Sequence, residues 1–265
     1  MSEITLGELE ASIKSLKLDA GLEAFNFVNT AGTFFTKVKQ YFITAAPETK
    51  KALVKADFSP ILKAYGHYNY TDFMERPVFQ PARLAISYHE WLDVLNVLAA
   101  YCTYVETDLL PSTLTWMAEL SVGKASVAYA PKFKKELYNK VEGELGKALS
   151  GKDVTTAPFG DRFSNLLDFK NVYVEFNNLA TLVGKTDVDA VSRKVTRLSE
   201  VVSALQDAIA TKTITLDRHA VDNVSNTVLN AARAVDLYSI CITLLITTGA
   251  ALSNTALELK QKMKA

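Results

Sequence analysis

Apolar residues recur at alternating spacings of three and four along the last eighty residues of the chain. This alternation places side chains along one side of a helix and is typical of helices that pack against one another. No charged residue occupies any position of the two series. The first seam consists of Val188, Val191, Val195, Leu198, Val202, Leu205 and Ile209. The second seam consists of Val221, Val224, Val228, Ala231, Val235, Tyr238, Ile242, Leu245, Gly249, Leu252, Ala256, Leu259 and Met263.

The two seams predict a long antiparallel helical hairpin over residues 188–211 and 217–263. Residues 212–216 interrupt the pattern, Asp217 can cap the second helix, and Thr186 or Asp187 can cap the first. A helix of about 45 residues would be about 70 Å long, so the first helix can cover only its first half.

The uncovered half of the second helix contains an uncharged stretch, residues 237–257. Its 21 residues would suffice to cross a bilayer. Because serine, threonine and asparagine interrupt it and its apolar residues are periodic, we expect a helix buried inside the protein rather than a membrane span. Its cover would be the N-terminal helices, another copy of the chain or a membrane, and the first is the simplest.

Further helices are predicted upstream, so the fold class is all-α, an elongated multi-helix bundle. Capping boxes begin helices at Thr5-x-x-Glu8 and Ser87-x-x-Glu90. Pro111 kinks the helix that starts near Tyr88 or begins a new one ending near Val122, and Pro131 suits the first position of another. The predicted helical ranges are about 6–17, 20–44, 88–110, 111–122, 131–149 and 163–183.

Two stretches are not predicted to be helical. Residues 150–161 form a polar loop that separates an N-terminal portion, 1–150, from a C-terminal bundle, 162–265, within one structural unit. Residues 57–87 combine three prolines with many aromatic side chains, which indicates either a protein interface or a lid on the core. The candidate interface residues are Tyr68, Tyr70, Phe73, Arg76 and Phe79.

Composition excludes several classes of protein. The 29 basic and 29 acidic residues balance, so we expect no nucleic-acid partner. Two cysteines do not form a disulfide framework, and the start of the chain lacks a secretion signal, which favours a cytoplasmic or otherwise non-secreted protein.

Motifs for catalysis, metal binding and cofactor binding are not found in the sequence. The three histidines, His67, His89 and His219, do not form an HExxH pattern, and Cys102 and Cys241 lie among apolar neighbours. Glycines are scattered, so no phosphate-binding loop is predicted. We therefore predict no catalytic residue, cofactor, metal or small-molecule substrate, and no enzyme.

Residues 76–120, RPVFQPARLAISYHEWLDVLNVLAAYCTYVETDLLPSTLTWMAEL, contain an extended apolar piece between prolines, a helix and a Leu-Leu-Pro kink. This string resembles a pattern in virion-associated structural proteins of large tailed bacteriophages. The resemblance implies a structural or accessory role in the virion, which would then be the location of the protein.

The expected function is therefore that of a non-enzymatic structural or assembly protein, acting through helix packing and self-association. One alternative is a membrane-active, pore-forming type of protein that exposes residues 237–257. Another is a helical adaptor that binds a protein partner.

Overall fold

The computed structural model describes residues 74–183, 188–214, 216 and 218–264. The predicted helices at 6–17 and 20–44, the side chains of Tyr68, Tyr70 and Phe73, and the predicted caps Thr186, Asp187 and Asp217 lie outside these residues. The described chain is mostly helical, as predicted. Its helices are α1 (Tyr88–Tyr104), α2 (Leu110–Ser121), α3 (Lys135–Ala148), α4 (Phe159–Arg162), α5 (Leu166–Val183), α6 (Val188–Ala210) and α7 (Arg218–Lys264).

Two compact units, each built from separated segments of chain, make up the described residues. The first unit holds residues 103–134 and 188–239. The second holds residues 74–102, 135–183 and 240–264. The boundary between the units passes through α7, between Ser239 and Ile240.

In the first unit, α2 packs against α6 and follows a π-helical turn, Val105–Leu109. The amide of Leu110 donates to the carbonyl of Val105, five residues back. Proline at position 111 has no N–H to donate, and its ring crowds the carbonyl four residues earlier. The wider turn ahead of Pro111 is therefore how the chain accommodates this proline without a break in its helical turns.

The start of α3 corrects the prediction that its helix begins at Pro131. The hydroxyl of Tyr104 accepts a hydrogen bond of 3.0 Å from the amide of Lys134 and donates one of 3.4 Å to the carbonyl of Lys132. These bonds hold the backbone after Pro131 outside the helix, which begins only at Lys135.

A small antiparallel sheet in the second unit was not predicted. Strand β1 (Pro77–Phe79) pairs with β2 (Thr156–Pro158) in the register Val78 opposite Ala157. Strand β1 lies in the apolar piece predicted to be extended between prolines, β2 lies in the predicted polar loop, and the fully buried Val78 joins β1 to the core. Behind the sheet lies a cluster of aromatic rings with centroids 5.0–6.1 Å apart: Tyr88, Phe159, Phe163, Phe169 and Tyr173.

The predicted capping box at the start of α1 is confirmed. The amide and hydroxyl of Ser87 donate to the carboxylate of Glu90 over 2.9 and 2.8 Å, and the amide of Glu90 donates back to the Ser87 hydroxyl over 3.3 Å. The bonds from Ser87 lower the pKa of the Glu90 carboxyl below its usual value.

Both seams face the interior of the protein. Every member of the second seam from Val221 to Leu259 is buried, as are the first-seam residues from Val191 to Leu205. Ile209 is half-buried. The sequence pattern therefore identified the buried sides of α6 and α7.

Candidate interaction surface

One side of the C-terminal half of α7 is exposed, although most of that helix is buried. Between Ile240 and Leu259 the exposed residues recur at spacings of three, four, three, four and three. We call this set the α7 stripe: Ile240, Thr243, Thr247, Ala250, Asn254 and Leu257. It carries no charge, and its end residues Ile240 and Leu257 are exposed to 45% and 48%.

Hydrogen bonds on the opposite side of α7 fix which residues face outward. The indole Nε1 of Trp91 donates to the buried hydroxyl of Thr248 over 2.9 Å. The amide of Phe79 donates to the buried hydroxyl of Thr255, also over 2.9 Å. Within this unit, α1 and β1 therefore cover one side of the predicted uncharged stretch and leave the α7 stripe in contact with solvent.

Of the predicted interface residues, the described chain contains Arg76 and Phe79, both beside α7. Arg76 Nη1 lies 3.8 Å from Oε1 of Glu258. Phe79 is half-buried in β1, and its carbonyl accepts a 2.6 Å hydrogen bond from the hydroxyl of Tyr88. Residues 76–79 of the arm pack onto their own unit.

A buried polar pair in the first unit was missed from the sequence. The carboxylate of Glu106 accepts a 2.7 Å hydrogen bond from the hydroxyl of Tyr238, and both side chains are buried. Lys194 Nζ donates to the backbone carbonyl of Glu106 over 2.8 Å. The sequence offered one signal for this pair, an acidic residue five positions before Pro111. The π turn there changes the direction of the side chains from the one that a regular α-helix would give.

Serine, histidine and aspartate meet in the second unit, but not in the order of a catalytic triad. His89 Nε2 lies 2.7 Å from one oxygen of Asp168, and the other oxygen accepts bonds from the amide and hydroxyl of Ser164. In a triad the histidine lies between the serine and the acid, so that it can take the serine proton. Here the carboxylate lies in the middle, next to Asn165, whose side-chain oxygen accepts from the amide of Asp168. The arrangement is a helix cap for α5.

The Asp168 carboxyl has a lowered pKa although it is partly buried. Partial burial acts to raise the pKa, but the hydrogen bonds from Ser164 and His89 and the nearby histidine charge outweigh it. The ionised form is therefore the one that caps α5.

A cleft of about 790 Å³ in the first unit lies between the π turn, α2 and the loop that follows. Its lining contains neither histidine nor cysteine, and of its two acidic residues, Asp108 and Glu119, Asp108 is paired with Lys134 at 3.2 Å. The indole of Trp116 donates to the carbonyl of Ser126 over 3.1 Å, while Tyr129 on the rim is 81% exposed. Among the described residues, no group of three or more histidine, cysteine or acidic side chains could hold a metal ion.

Comparison of the chain with models of protein families, with characterised proteins and with solved structures finds no match.

Proposed function

We propose that the chain is a non-enzymatic structural or assembly protein that acts through helix packing and self-association. The observation that carries this proposal is the α7 stripe. The solvent side of a surface helix normally carries charged residues, so an exposed side with none, including Ile240 and Leu257, indicates a surface that packs against another protein. An exposed side with this spacing, on a helix whose other sides are buried, favours a protein partner over solvent as its counterpart.

A virion is the proposed location if the chain comes from a bacteriophage, and the cytoplasm otherwise. The support is the resemblance of residues 76–120 to virion-associated structural proteins of large tailed phages. The balanced charge of the chain supports protein partners over nucleic acid.

The finer architecture in this proposal is an elongated bundle in which α6 and α7 pair as an antiparallel hairpin. The buried seams on both helices support it, as does the short connection, residues 211–217. Spin labels on Glu200→Cys and Asn230→Cys, in a chain whose native cysteines are replaced by serine, test the pairing. A hairpin gives a short distance between the labels, and a long distance contradicts it.

Sedimentation of the full chain over a range of concentrations tests self-association. We expect a reversible increase in mass with concentration, abolished by Thr247→Lys because a charge would be forced into the contact. Asn178→Lys, an exposed position on α5, is the matched control and leaves the mass unchanged. A chain that stays monomeric at every concentration and binds no protein contradicts the proposal.

A second candidate, a membrane-active protein, is favoured by the composition of α7. Within the described residues, Ala220–Leu259 is long and apolar enough to cross a bilayer. However, 59% of its most apolar window is buried inside the protein, as it is in core helices of proteins that never enter a membrane. Flotation with anionic and neutral liposomes separates the two functions, since only a membrane-active chain moves with the lipid.

A further inference from the structure

We propose that the α7 stripe binds the α7 stripe of a second copy of this chain, with the two helices parallel and in register. This inference rests on the proposed self-association and names its partner and geometry. The contact would span residues 240–257, 18 residues of helix or about 27 Å at about 1.5 Å per residue.

The spacing of the stripe assigns a heptad position to each residue. Because a residue at position a is followed three residues later by one at position d, Ile240 lies at a and Thr243 at d. Thr247 and Asn254 then lie at a, and Ala250 and Leu257 lie at d. Ile240 at a and Leu257 at d match the choice of residues that favours a pair of parallel helices over larger assemblies, while Thr243 and Ala250 are smaller residues at d.

Asn254 supplies the second argument, which concerns register and orientation. A single asparagine at an a position fixes the register of two parallel helices, because the two amides face and hydrogen-bond each other. A shift by one heptad would place one Asn254 amide opposite Thr247 of the other copy, and the other amide beyond the end of the α7 stripe. A polar residue at an a position favours one alignment of the two helices and lowers their affinity. A stripe that contains Asn254 can therefore specify its partner without being strongly apolar.

The lack of charge on the stripe favours a second copy over a foreign partner. Because no residue of the stripe is charged, two copies of it place no like charges opposite each other. A partner recognised by charge would find no opposite charge on these six residues.

The helix that carries the stripe is already ordered before association. Thr248 and Thr255 anchor it to Trp91 and Phe79, so little conformational entropy remains to be lost on pairing. Because the α7 stripe is shorter than three heptads, we expect a weak dimer whose formation depends on concentration.

Cysteine cross-linking tests the orientation directly. Ile240→Cys and Leu257→Cys are prepared as separate full-length variants and oxidised alone and as an equimolar mixture. In a parallel, in-register pair each variant faces its own copy, so each cross-links alone and the mixture forms no covalent 240–257 product. The unmodified chain is the control, since Cys102 and Cys241 are buried and should not react.

Two substitutions at one position provide an independent measurement. Asn254→Lys places two like charges face to face and should raise the dissociation constant by roughly tenfold or more. Asn254→Leu removes the polar pair and should tighten association while relaxing its register. A gain in affinity cannot result from misfolding, and circular dichroism checks that both variants keep their helices.

The outcomes separate this inference from the proposed function. Cross-linking only in the mixture shows antiparallel pairing and overturns the inference while self-association stands. A dimer that ignores both Asn254 substitutions uses another surface and overturns the inference in the same way. A strictly monomeric chain that binds no other protein overturns both.

Discussion

At the scale of single residues, the backbone conformation decides where glycine is required. A Cβ atom on Gly151 would lie 2.8 Å from the carbonyl oxygen of Arg83 and 3.1 Å from that of Leu84. The amide of Gly151 also donates to the Arg83 carbonyl over 2.8 Å. Gly146, within α3, faces open space. Glycine is therefore required at 151 for the close approach of two backbones and is dispensable at 146.

Gly151→Ala should lower the free energy of unfolding by about 1–3 kcal/mol, because the added methyl group forces two backbone segments apart. Gly146→Ala should raise it by about 0.5–1 kcal/mol, since alanine is the better residue inside a helix. Urea unfolding followed by circular dichroism measures both. Equal effects of the two substitutions would show that the contact at 151 contributes nothing.

Two helices end in the same hydrogen-bonded motif with different residues at its left-handed position. At the end of α2, Gly123 has φ 71°, and the amides of Gly123 and Lys124 donate to the carbonyls of Leu120 and Glu119. At the end of α6, the same pattern places Lys212 at φ 56°. This conformation costs a residue with a side chain about 1–2 kcal/mol, but costs glycine little.

Lys212→Gly should therefore raise the free energy of unfolding by about 1 kcal/mol. Gly123→Ala is the converse test and should lower the free energy of unfolding by about the same amount, because alanine is strained at this positive φ. The added Cβ would contact only Ile214 Cγ2, at 3.9 Å, so no steric clash adds to the effect. Thermal unfolding of both variants measures the difference. A destabilising Lys212→Gly would mean that the lysine side chain stabilises the turn.

The sequence did not reveal these requirements at residue scale. In the sequence, Gly151 was only one residue of a polar loop. Its requirement for glycine could not be predicted, because it depends on a contact with residues 83 and 84, which are far away along the chain. The segment after residue 211 was correctly predicted as a break between helices. That Lys212 adopts a positive φ depends on the backbone geometry of the helix end, which no side-chain pattern encodes.

At the scale of secondary-structure elements, helices with long periodic patterns were predictable, and the pairing of the two short strands was not. The seams of α6 and α7 were identified because many positions repeat the same spacing. Strands β1 and β2 have three residues each, too few to show an alternation, and their pairing joins segments about eighty residues apart. Each strand also contains a proline, Pro77 opposite Pro158, which further hides the pairing, since proline usually indicates a loop.

The cap of α5 makes stability depend on pH. The folded pKa of Asp168 is lowered, so its carboxylate stabilises the protein at pH values above the unfolded value of about 4. That contribution is lost as the pH falls below about 4, through the folded pKa. Asp168→Asn should reduce the free energy of unfolding by about 1 kcal/mol at pH 7.

The measurement is urea unfolding of the unmodified chain and of Asp168→Asn between pH 7 and pH 3. The difference between the two should shrink as the pH falls below about 4, because the stabilisation that the ionised carboxylate provides is then lost. Asp153→Asn, in the exposed loop before β2, serves as the control. A difference that stays constant over the whole range would rule out ionised Asp168 as the cap.

At the scale of the whole molecule, residues far apart in sequence hold each unit together. Tyr238 and Glu106 are 132 positions apart and form the buried hydrogen bond between α7 and the π turn. Neither partner was predictable as one of a pair. Tyr238 was predicted only as a seam residue, and Glu106 lies off the apolar pattern.

Tyr238→Phe should lower the free energy of unfolding by about 1–3 kcal/mol. The substitution removes the hydroxyl that donates to the buried Glu106 and leaves the packing of the ring intact. Combining it with Glu106→Ala, which removes the acceptor, in a double-mutant cycle measures the coupling between the two side chains. Additive effects of the two substitutions would contradict a direct interaction.

The two buried cysteine thiols can report how the second unit opens. Cys102 and Cys241 are both buried in it, 2% and 0% exposed. A thiol reagent can attack either sulfur only while the surrounding structure is transiently open, so each reaction rate reports an opening equilibrium under native conditions. Equal opening free energies at the two sites would mean that α1 and the end of α7 separate from the core in one cooperative event. Unequal values would order the steps by which the unit comes apart, without any label being introduced.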